Sequence, residues 1–375
     1  MAQKKILHVL PDLEYSGVLS WLTHVSQRID KSRFQLDFLV QNDESPMKDK
    51  LRQLGLRTFS IPLDHLRSLP YYSYRIGRLL REQGPYQAAH CHVGLDSWLY
   101  LGLAYQAGVP IRIAHSHTGY ISVKNRFSPT KTGVRWIKRK VIWRCATHGF
   151  TSGPQNSTSL FGHFWMRDRR WHNIFCGIEL APFERPADRV ALREDMGIPE
   201  TALVVGYVGK LTEKKNPEKL ITVFKQLLDK RPDAYLLVVG DGEMRSAIER
   251  LAQTTGVSKQ TIFTGFREDA IRLMRDVMDV FLLPSLFEGA GLALVEAQAA
   301  GLPCVISDNV SKSLEVTKDQ IHRRLLGDSD SDWANELLKA ARAEHRPFVR
   351  SLFSRFDVDH SIKIWERIYT TGSVF

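Results

Sequence analysis

Cysteine is scarce in this chain. Its four residues, Cys91, Cys145, Cys176 and Cys304, are scattered and form no C-x-x-C pair. That argues against a disulfide scaffold or a zinc ribbon and fits a reducing cytoplasm. Long apolar runs are missing too, and none approaches the roughly 20 residues needed to span a bilayer. Near the start, Ile6–Leu10 is broken by His8 and closed by Pro11, with no small-residue cleavage site, so no secretory leader is expected. There is no G-x-G-x-x-G, no low-complexity tract and no repeat of roughly 20–50 residues. Acidic residues vanish between Asp96 and Asp168.

What remains is the composition of a soluble globular protein: 375 residues, 43% hydrophobic and 25% charged. At about 150 residues per domain, two domains are expected. The net charge of +11 is uneven, with +13 in residues 1–180 and −2 in 181–375. The acid-free stretch holds Arg112, Lys124, Arg126, Lys131, Arg135, Lys138, Arg139, Lys140, Arg144 and Arg167. Such asymmetry points to a polyanion, an anionic membrane or a phosphorylated ligand. Spacing predicts a helix over Gly133–Cys145, with Val134, Ile137, Val141 and Cys145 on one face. Trp136 and Trp143 fall on the opposite side, beside Arg139 and Lys140. Trp among cations away from a core suits a membrane interface, and a solvated basic face with Trp packed on a loop accounts for it equally well. No RNP, helix-turn-helix or zinc-finger pattern accompanies the charge, so nucleic acid is not an expected partner.

Both halves alternate β-rich runs with amphipathic stretches. Strands are expected at Ile6–Leu10, Leu36–Val40, Thr58–Ile61, Ala88–His92, Ile111–His115 and Gly149–Thr151. In the second half they fall at Leu203–Val208, Tyr235–Val239, Thr261–Thr264, Val280–Leu283 and Cys304–Ile306. This rhythm implies two doubly wound α/β domains with parallel sheets, whose ligands sit beyond the carboxyl ends of the strands. The boundary is expected near Cys176–Arg189.

Four strand ends carry candidate chemistry. Gly17, ahead of a helix at about Leu19–Ile29, lets amides approach a phosphate, or makes a plain tight turn. Lys210 and Lys215 flank a loop after the first strand of the second half, where two ammonium groups can clamp a diphosphate; Pro217 then starts a helix. In PSLFEGAGLALVEAQAAGLP, an apolar strand gives way to a Gly-rich loop and then a helix near Leu292. Glu288 lies in the loop and Glu296 in the helix, eight apart and so not one helical pair; the loop carboxylate, near an anion-favouring helix start, invites a hydroxyl-rich ligand, or else Glu296 pairs with a lysine and Glu288 caps the helix. His115 and His117, with His90 and His92 one strand earlier, suggest a sugar- or phosphate-contacting His, or a metal for which no familiar ligand set is complete. Asp328, Asp330 and Asp332 imitate a metal-binding D-x-D, but precede a helix and read as an N-cap. Gly240-Asp-Gly242 reads as a strand-to-helix turn.

Together these segments resemble glycosyltransferase family 4, the retaining transferases of the GT-B fold, with two Rossmann-like domains facing across a cleft. The resemblance spans nearly the whole chain. PSLFEGAGLALVEAQAAGLP looks like the E-x7-E signature, supported by VGKLTEKKNPEKLITVF, LLVVGDGE, IFTGF and MDVFLLPS. ILHVLPDLEYSG and the AAHCH and IAHSH strand ends look closest to bacterial exopolysaccharide and capsule enzymes. The resemblance implies an N-terminal acceptor-side domain at 1–178, a nucleotide-sugar-binding domain at 179–355, and a final helix at 356–375 crossing back. It implies that Glu288 contacts the donor sugar and Glu296 the ribose, while Lys210 and Lys215 hold the diphosphate, so no metal is required. Gly289, Ala290, Gly291 and Leu292 would orient sugar and phosphates through their amides, with Phe266 and Arg267 about the base. Gly17 would let a loop close on the donor, and His117 would face the sugar. The implied partners are a nucleotide-diphosphate sugar, with UDP favoured, and a glycan or polyprenyl-diphosphate-linked acceptor. An acceptor of that kind places the protein in the cytoplasm, peripheral at the inner face of the plasma membrane, with Trp136, Arg139, Lys140 and Trp143 on the membrane or acceptor side. Lys210 stands where the family has Arg, Ser16 where a second Gly is common, Leu19 where Glu often follows, and Cys176 where Asn is usual. The rivals are an epimerase or phosphorylase of the same fold, and a glycan- or membrane-binding subunit without turnover.

Overall fold

The computed structural model describes residues 3–13, 16–41, 47–62, 69–117, 129–153, 160–162, 165–186 and 188–374. Two compact units emerge, one of Met1–Gly177 with Val358–Phe375, the other of Ile178–Asp357. In the first unit seven strands form one sheet: β1 (Lys4–Leu10), β2 (Phe34–Val40), β3 (Arg57–Ser60), β4 (Tyr86–Cys91), β5 (Ile111–Ser116), β6 (His148–Thr151) and β7 (Trp171–Asn173). Their order is β3-β2-β1-β4-β5-β6-β7, every pair parallel. The second unit has six: β8 (Val204–Val208), β9 (Tyr235–Val239), β10 (Thr261–Gly265), β11 (Val280–Leu283), β12 (Cys304–Ser307) and β13 (Ile321–Arg324). Their order is β10-β9-β8-β11-β12-β13, again all parallel.

Each sheet grows one way from its first strand and then reverses, so the switch points lie between β1 and β4 and between β8 and β11. Helices on the faces explain the near-continuous apolar strands, as in VVGYV and VFLL. The helix Pro217–Leu228 shows how they are held: Pro217 occupies the first turn, and Leu220, Ile221, Val223, Phe224 and Leu227 bury one stripe. At the chain's end, the helix Val358–Thr371 belongs to the first unit, burying Trp365 and Tyr369. Its Ser361 Oγ accepts from the indole N–H of Trp21 at 3.3 Å.

One helix departs from its expected facing. It runs Pro129–Cys145, and its buried side is Ile142 and Cys145, with Val141 half-buried. Val134 and Ile137, expected in the core, are 50% and 55% exposed, and Trp136 is 59% exposed. Trp143 turns inward instead: its indole N–H donates to Phe161 O at 3.0 Å and its ring meets Trp171 edge-on. The C-terminal turns pack on the helix Ser97–Gln106, where Gly102 makes room for Val141. Among the described residues the earlier turns find no such cover. Trp136 and Trp143 therefore do not share an outward face. Lys124 and Arg126 lie outside the described residues, as does the side chain of Lys131.

Candidate functional site

β8 and β11 pair directly, Val280 opposite Val205 and Phe281 opposite Gly206, which sets their carboxyl ends side by side. The loops that follow, residues 209–216 and 284–291, are tied together at three points. Leu286 N donates to Lys214 O at 2.8 Å, and Asn216 Nδ2 to Pro284 O at 3.2 Å. The third tie is an ion pair between Lys215 Nζ and the Glu288 carboxylate, with side chains only 12% and 9% exposed. Asn216 turns the chain into Pro217 with φ +54°, a left-handed position that Asn tolerates better than most residues. On the other side Glu288 O accepts from Ser311 N at 3.0 Å, so the acid is anchored from two directions.

Burial shapes the neighbouring groups. Lys214 has its ammonium pKa lowered, first by desolvation and then by Lys215, with Glu288 opposing. Burial, followed by the Glu288 charge, pushes the Tyr207 phenol well up, and its hydroxyl donates to Lys210 O at 3.2 Å. Lys210 itself reaches outward from the exposed lip of the loop. Beneath it lies the Gly240-Asp241-Gly242 turn, where Gly209 N donates to Val239 O and Leu211 N to Asp241 O. A Cβ on Gly240, whose φ is +135°, would stand 2.0 Å from Gly209 O. The turn is thus the bed of the Lys210 loop.

The helix Leu292–Ala299 opens directly after Gly291, whose carbonyl accepts from Leu294 N at 3.0 Å, while the N–H groups of Leu292 and Ala293 have no partner within the helix. A Cβ on Gly291 would fall 2.6 Å from Glu288 Cγ, so this glycine lets the carboxylate lie against the helix start. Glu296 is partly buried one turn further on, and desolvation raises its pKa to about 7. Lys210, Lys215, Glu288, Glu296 and the 289–292 amides therefore share one edge of the second unit. Phe266 and Arg267 follow β10 on the same edge, two strands from β8. Phe266 is 42% exposed, and the Arg267 guanidinium is committed to both oxygens of Asp269 at 2.7 Å. A cavity of about 570 Å³ lies elsewhere, lined by Arg189, Arg193 and Asp279 among others, but both arginines are already paired with Asp279.

In the first unit Gly17 opens the helix Gly17–Arg28, and Ser16 Oγ caps it by accepting from Leu19 N at 3.2 Å. His117 directly follows β5, with Nε2 2.8 Å from His92 Nδ1 and Nδ1 3.6 Å from Cys176 Sγ. Both nitrogens face neighbours within the unit, so contact with a sugar would require one of them to let go. Of the decoy aspartates, Asp328 precedes the helix Asp330–Ala340 and Asp330 and Asp332 lie in its first turn; the N-cap is Ser329, accepting from Asp332 N at 3.1 Å. Sequence reading passed over His8, a polar residue inside an apolar strand, and Asn216 and Ser311, which brace the acid and whose only signal was their place in a loop.

Cations and free amides on one strand edge suit a diphosphate, and the two carboxylates suit hydroxyl groups. The comparisons agree. The sequence model for "Glycosyl transferases group 1" matches residues 188–346. The Bacillus subtilis (strain 168) protein named "Putative glycosyltransferase EpsF" is 30% identical over 96% of this chain and 94% of its own length. An Escherichia coli UDP-Gal:alpha-D-GlcNAc-diphosphoundecaprenol alpha-1,3-galactosyltransferase is 25% identical, over 88% of this chain and 85% of its own. In fold, Anabaena Alr3699/HepE in complex with UDP-glucose aligns at TM-score 0.78 and 20% identity, covering 99% of this chain and 100% of that one. These relatives do not favour the epimerase, phosphorylase or non-catalytic readings. With its two Rossmann-like sheets in the GT-B pattern, this chain belongs to the group 1 glycosyl transferases, the retaining family 4 type, and is a glycosyltransferase.

Proposed function

We propose that this enzyme moves a hexosyl or N-acetylhexosaminyl group from a UDP-sugar to a polyprenyl-diphosphate-linked glycan in cell-surface polysaccharide synthesis. The observation that carries the reading is the Lys215–Glu288 pair, held between two loops at the carboxyl edge of the second sheet. Lys210 and Lys215 hold the diphosphate and offset the charge of the leaving group. Amides at Gly289–Leu292 orient sugar and phosphates, and Glu296 accepts from ribose hydroxyls. The backbone at Phe266 and Arg267 meets the base, and Gly17 gives the donor loop its freedom. Glu288 lies by the reacting end of the sugar, where a carboxylate favours an oxocarbenium-like centre. Cations fixed before the reaction do most of the work, since they need no reorganisation as charge develops. On this reading no metal bridges the diphosphate. The HepE structures hold UDP and UDP-glucose, and the E. coli relative's name specifies a lipid-linked acceptor.

The nucleotide-sugar falls to residues 178–357 and the acceptor to the first unit, at the inner face of the plasma membrane. Val134, Trp136 and Ile137 are all exposed, with Lys140 Nζ 4.4 Å from the Trp136 ring and Arg139 partly exposed beside them. Near an anionic leaflet each such cation contributes about 1 kcal/mol. No helix among the described residues is long and apolar enough to cross a membrane. The test is transfer from a panel of UDP-sugars to polyprenyl-diphosphate-linked saccharides in vesicles, with the product anomer read by NMR. The reading predicts a product with the donor's anomeric configuration and loss of transfer in Glu288→Gln. An inverted product, or release of UDP with no acceptor consumed, contradicts it.

A further inference from the structure

The switch point of the first sheet holds a feature that donor chemistry does not use. His8 on β1 stands opposite His90 on β4, and the alternation of β4 and β5 puts His90 with His92 and His115 with His117 on one face. Four of the five imidazoles, those of His8, His90, His92 and His115, are buried, at 0%, 0%, 7% and 0% exposure, while His117 is partly open. Trp21, Trp365 and Tyr369 wall them in.

The rings bond to one another. His117 Nε2 meets His92 Nδ1 at 2.8 Å, His92 Nε2 meets His8 Nδ1 at 3.1 Å, and His90 Nε2 meets His115 Nδ1 at 3.0 Å. Tyr369 Oη joins the branches at His90 Nδ1, 2.7 Å away. One atom is left over: His115 Nε2 is fully buried and has no hydrogen-bond partner among the described residues. A buried polar nitrogen without a partner is costly, and such atoms in a native fold call for an explanation.

Imidazoles are the commonest side-chain metal ligands, and here several cluster. Ring nitrogens of His92, His115 and His117, one from each, all lie within 4.8 Å of one another. We propose that His92, His115 and His117 form a binding site for one divalent ion of the Co²⁺, Ni²⁺ or Zn²⁺ kind, inside the first unit. Imidazole suits these ions, and three histidines with an open fourth position are a familiar zinc set. His8, His90 and His92 also lie within that distance, but all are buried, whereas the partly open His117 gives an ion a route from solvent. Cys176 Sγ, 3.6 Å from His117 Nδ1, fixes the orientation of that ring in the way outer partners of metal-bound histidines do. The ion would pin β4 to β5 at their ends.

The test of this site does not depend on turnover. Tag-free protein is stripped with chelator, dialysed and checked for folding by far-UV circular dichroism. It is then titrated with Co²⁺, followed by visible absorption, and with Zn²⁺, followed by calorimetry. The expected result is one ion per chain with intense Co²⁺ bands and a melting temperature several degrees higher with Zn²⁺. His92→Gln and His117→Gln should each weaken binding at least tenfold, while the exposed His360→Gln leaves it unchanged. Absence of saturable binding by the folded wild type overturns the proposal, so it remains testable even if the Gln variants fail to fold. Binding unaffected by both Gln variants overturns it as well.

Discussion

Glu296 is where pH acts most directly on the second unit. Its carboxyl titrates near pH 7 because burial disfavours the charged form. A raised carboxyl pKa means that its contribution to stability is complete below about pH 4.5 and is lost as pH rises through about 7. Glu296→Gln should therefore be the more stable protein above pH 7, by about 2 kcal/mol after screening, as denaturant melts at pH 5 and pH 8 would show. Ribose hydroxyls donate best to the ionised acid, so wild-type affinity for a UDP-sugar should rise between pH 6 and 8 and stay flat in Glu296→Gln. Parallel titration curves for the two proteins would remove Glu296 from the ligand contacts. Lys215 makes a second point. Its loss strands a buried carboxylate at Glu288, which typically costs about 3–5 kcal/mol. Lys215→Met alone should therefore destabilise the second unit, and adding Glu288→Leu should restore melting without restoring UDP binding. If the double variant binds UDP, the ammonium is not a phosphate ligand.

Among the elements, the helix Pro129–Cys145 separates two tryptophans that look alike in sequence. Trp136→Ala should weaken binding to anionic vesicles several-fold while leaving the melting temperature unchanged, because its ring is exposed. Trp143→Ala should do the reverse, costing about 3 kcal/mol through lost packing on Trp171 and the lost bond to Phe161. Vesicle flotation and thermal melts on both variants decide this; a Trp136→Ala protein that floats like wild type would end the docking assignment. At the bed of the Lys210 loop, Gly240→Ala drives a Cβ into Gly209 O and should destabilise by about 3 kcal/mol or more. What could be read beforehand follows the same lines. Apolar strands announced themselves, and the H-x-H spacing correctly put paired rings on one face. The edge strands Trp171–Asn173 and Ile321–Arg324 did not, because an edge needs fewer buried residues and these carry His, Asn and Arg. The face used by the basic helix was misread because periodicity marks a stripe but not the point along the helix where its cover stops.

At the scale of the whole molecule, two sheets of like strand order carry opposite charge balances, +13 over residues 1–180 and −2 over 181–375. The chemistry proposed for Lys215, Glu288 and Glu296 falls in the nearly neutral part, and the excess cations in the other. The charge asymmetry was legible in the sequence. The meeting of Lys215 with Glu288, 73 residues away, was not, since it depends on β8 lying beside β11. If the charge excess serves anionic lipid, vesicle binding should weaken steeply with salt while UDP affinity changes little. The central claim, that the second unit holds a nucleoside diphosphate through its own lysines and amides, is tested most directly by thermal stabilisation with UDP, GDP, ADP and CMP. The measurement is made with no divalent ion added, on wild type and Lys215→Ala. Ligand at a hundred times its dissociation constant adds about 2.7 kcal/mol, a shift of several degrees. The account predicts that UDP alone produces it and that Lys215→Ala abolishes it; no shift with any nucleotide, or an equal shift in the variant, would contradict it.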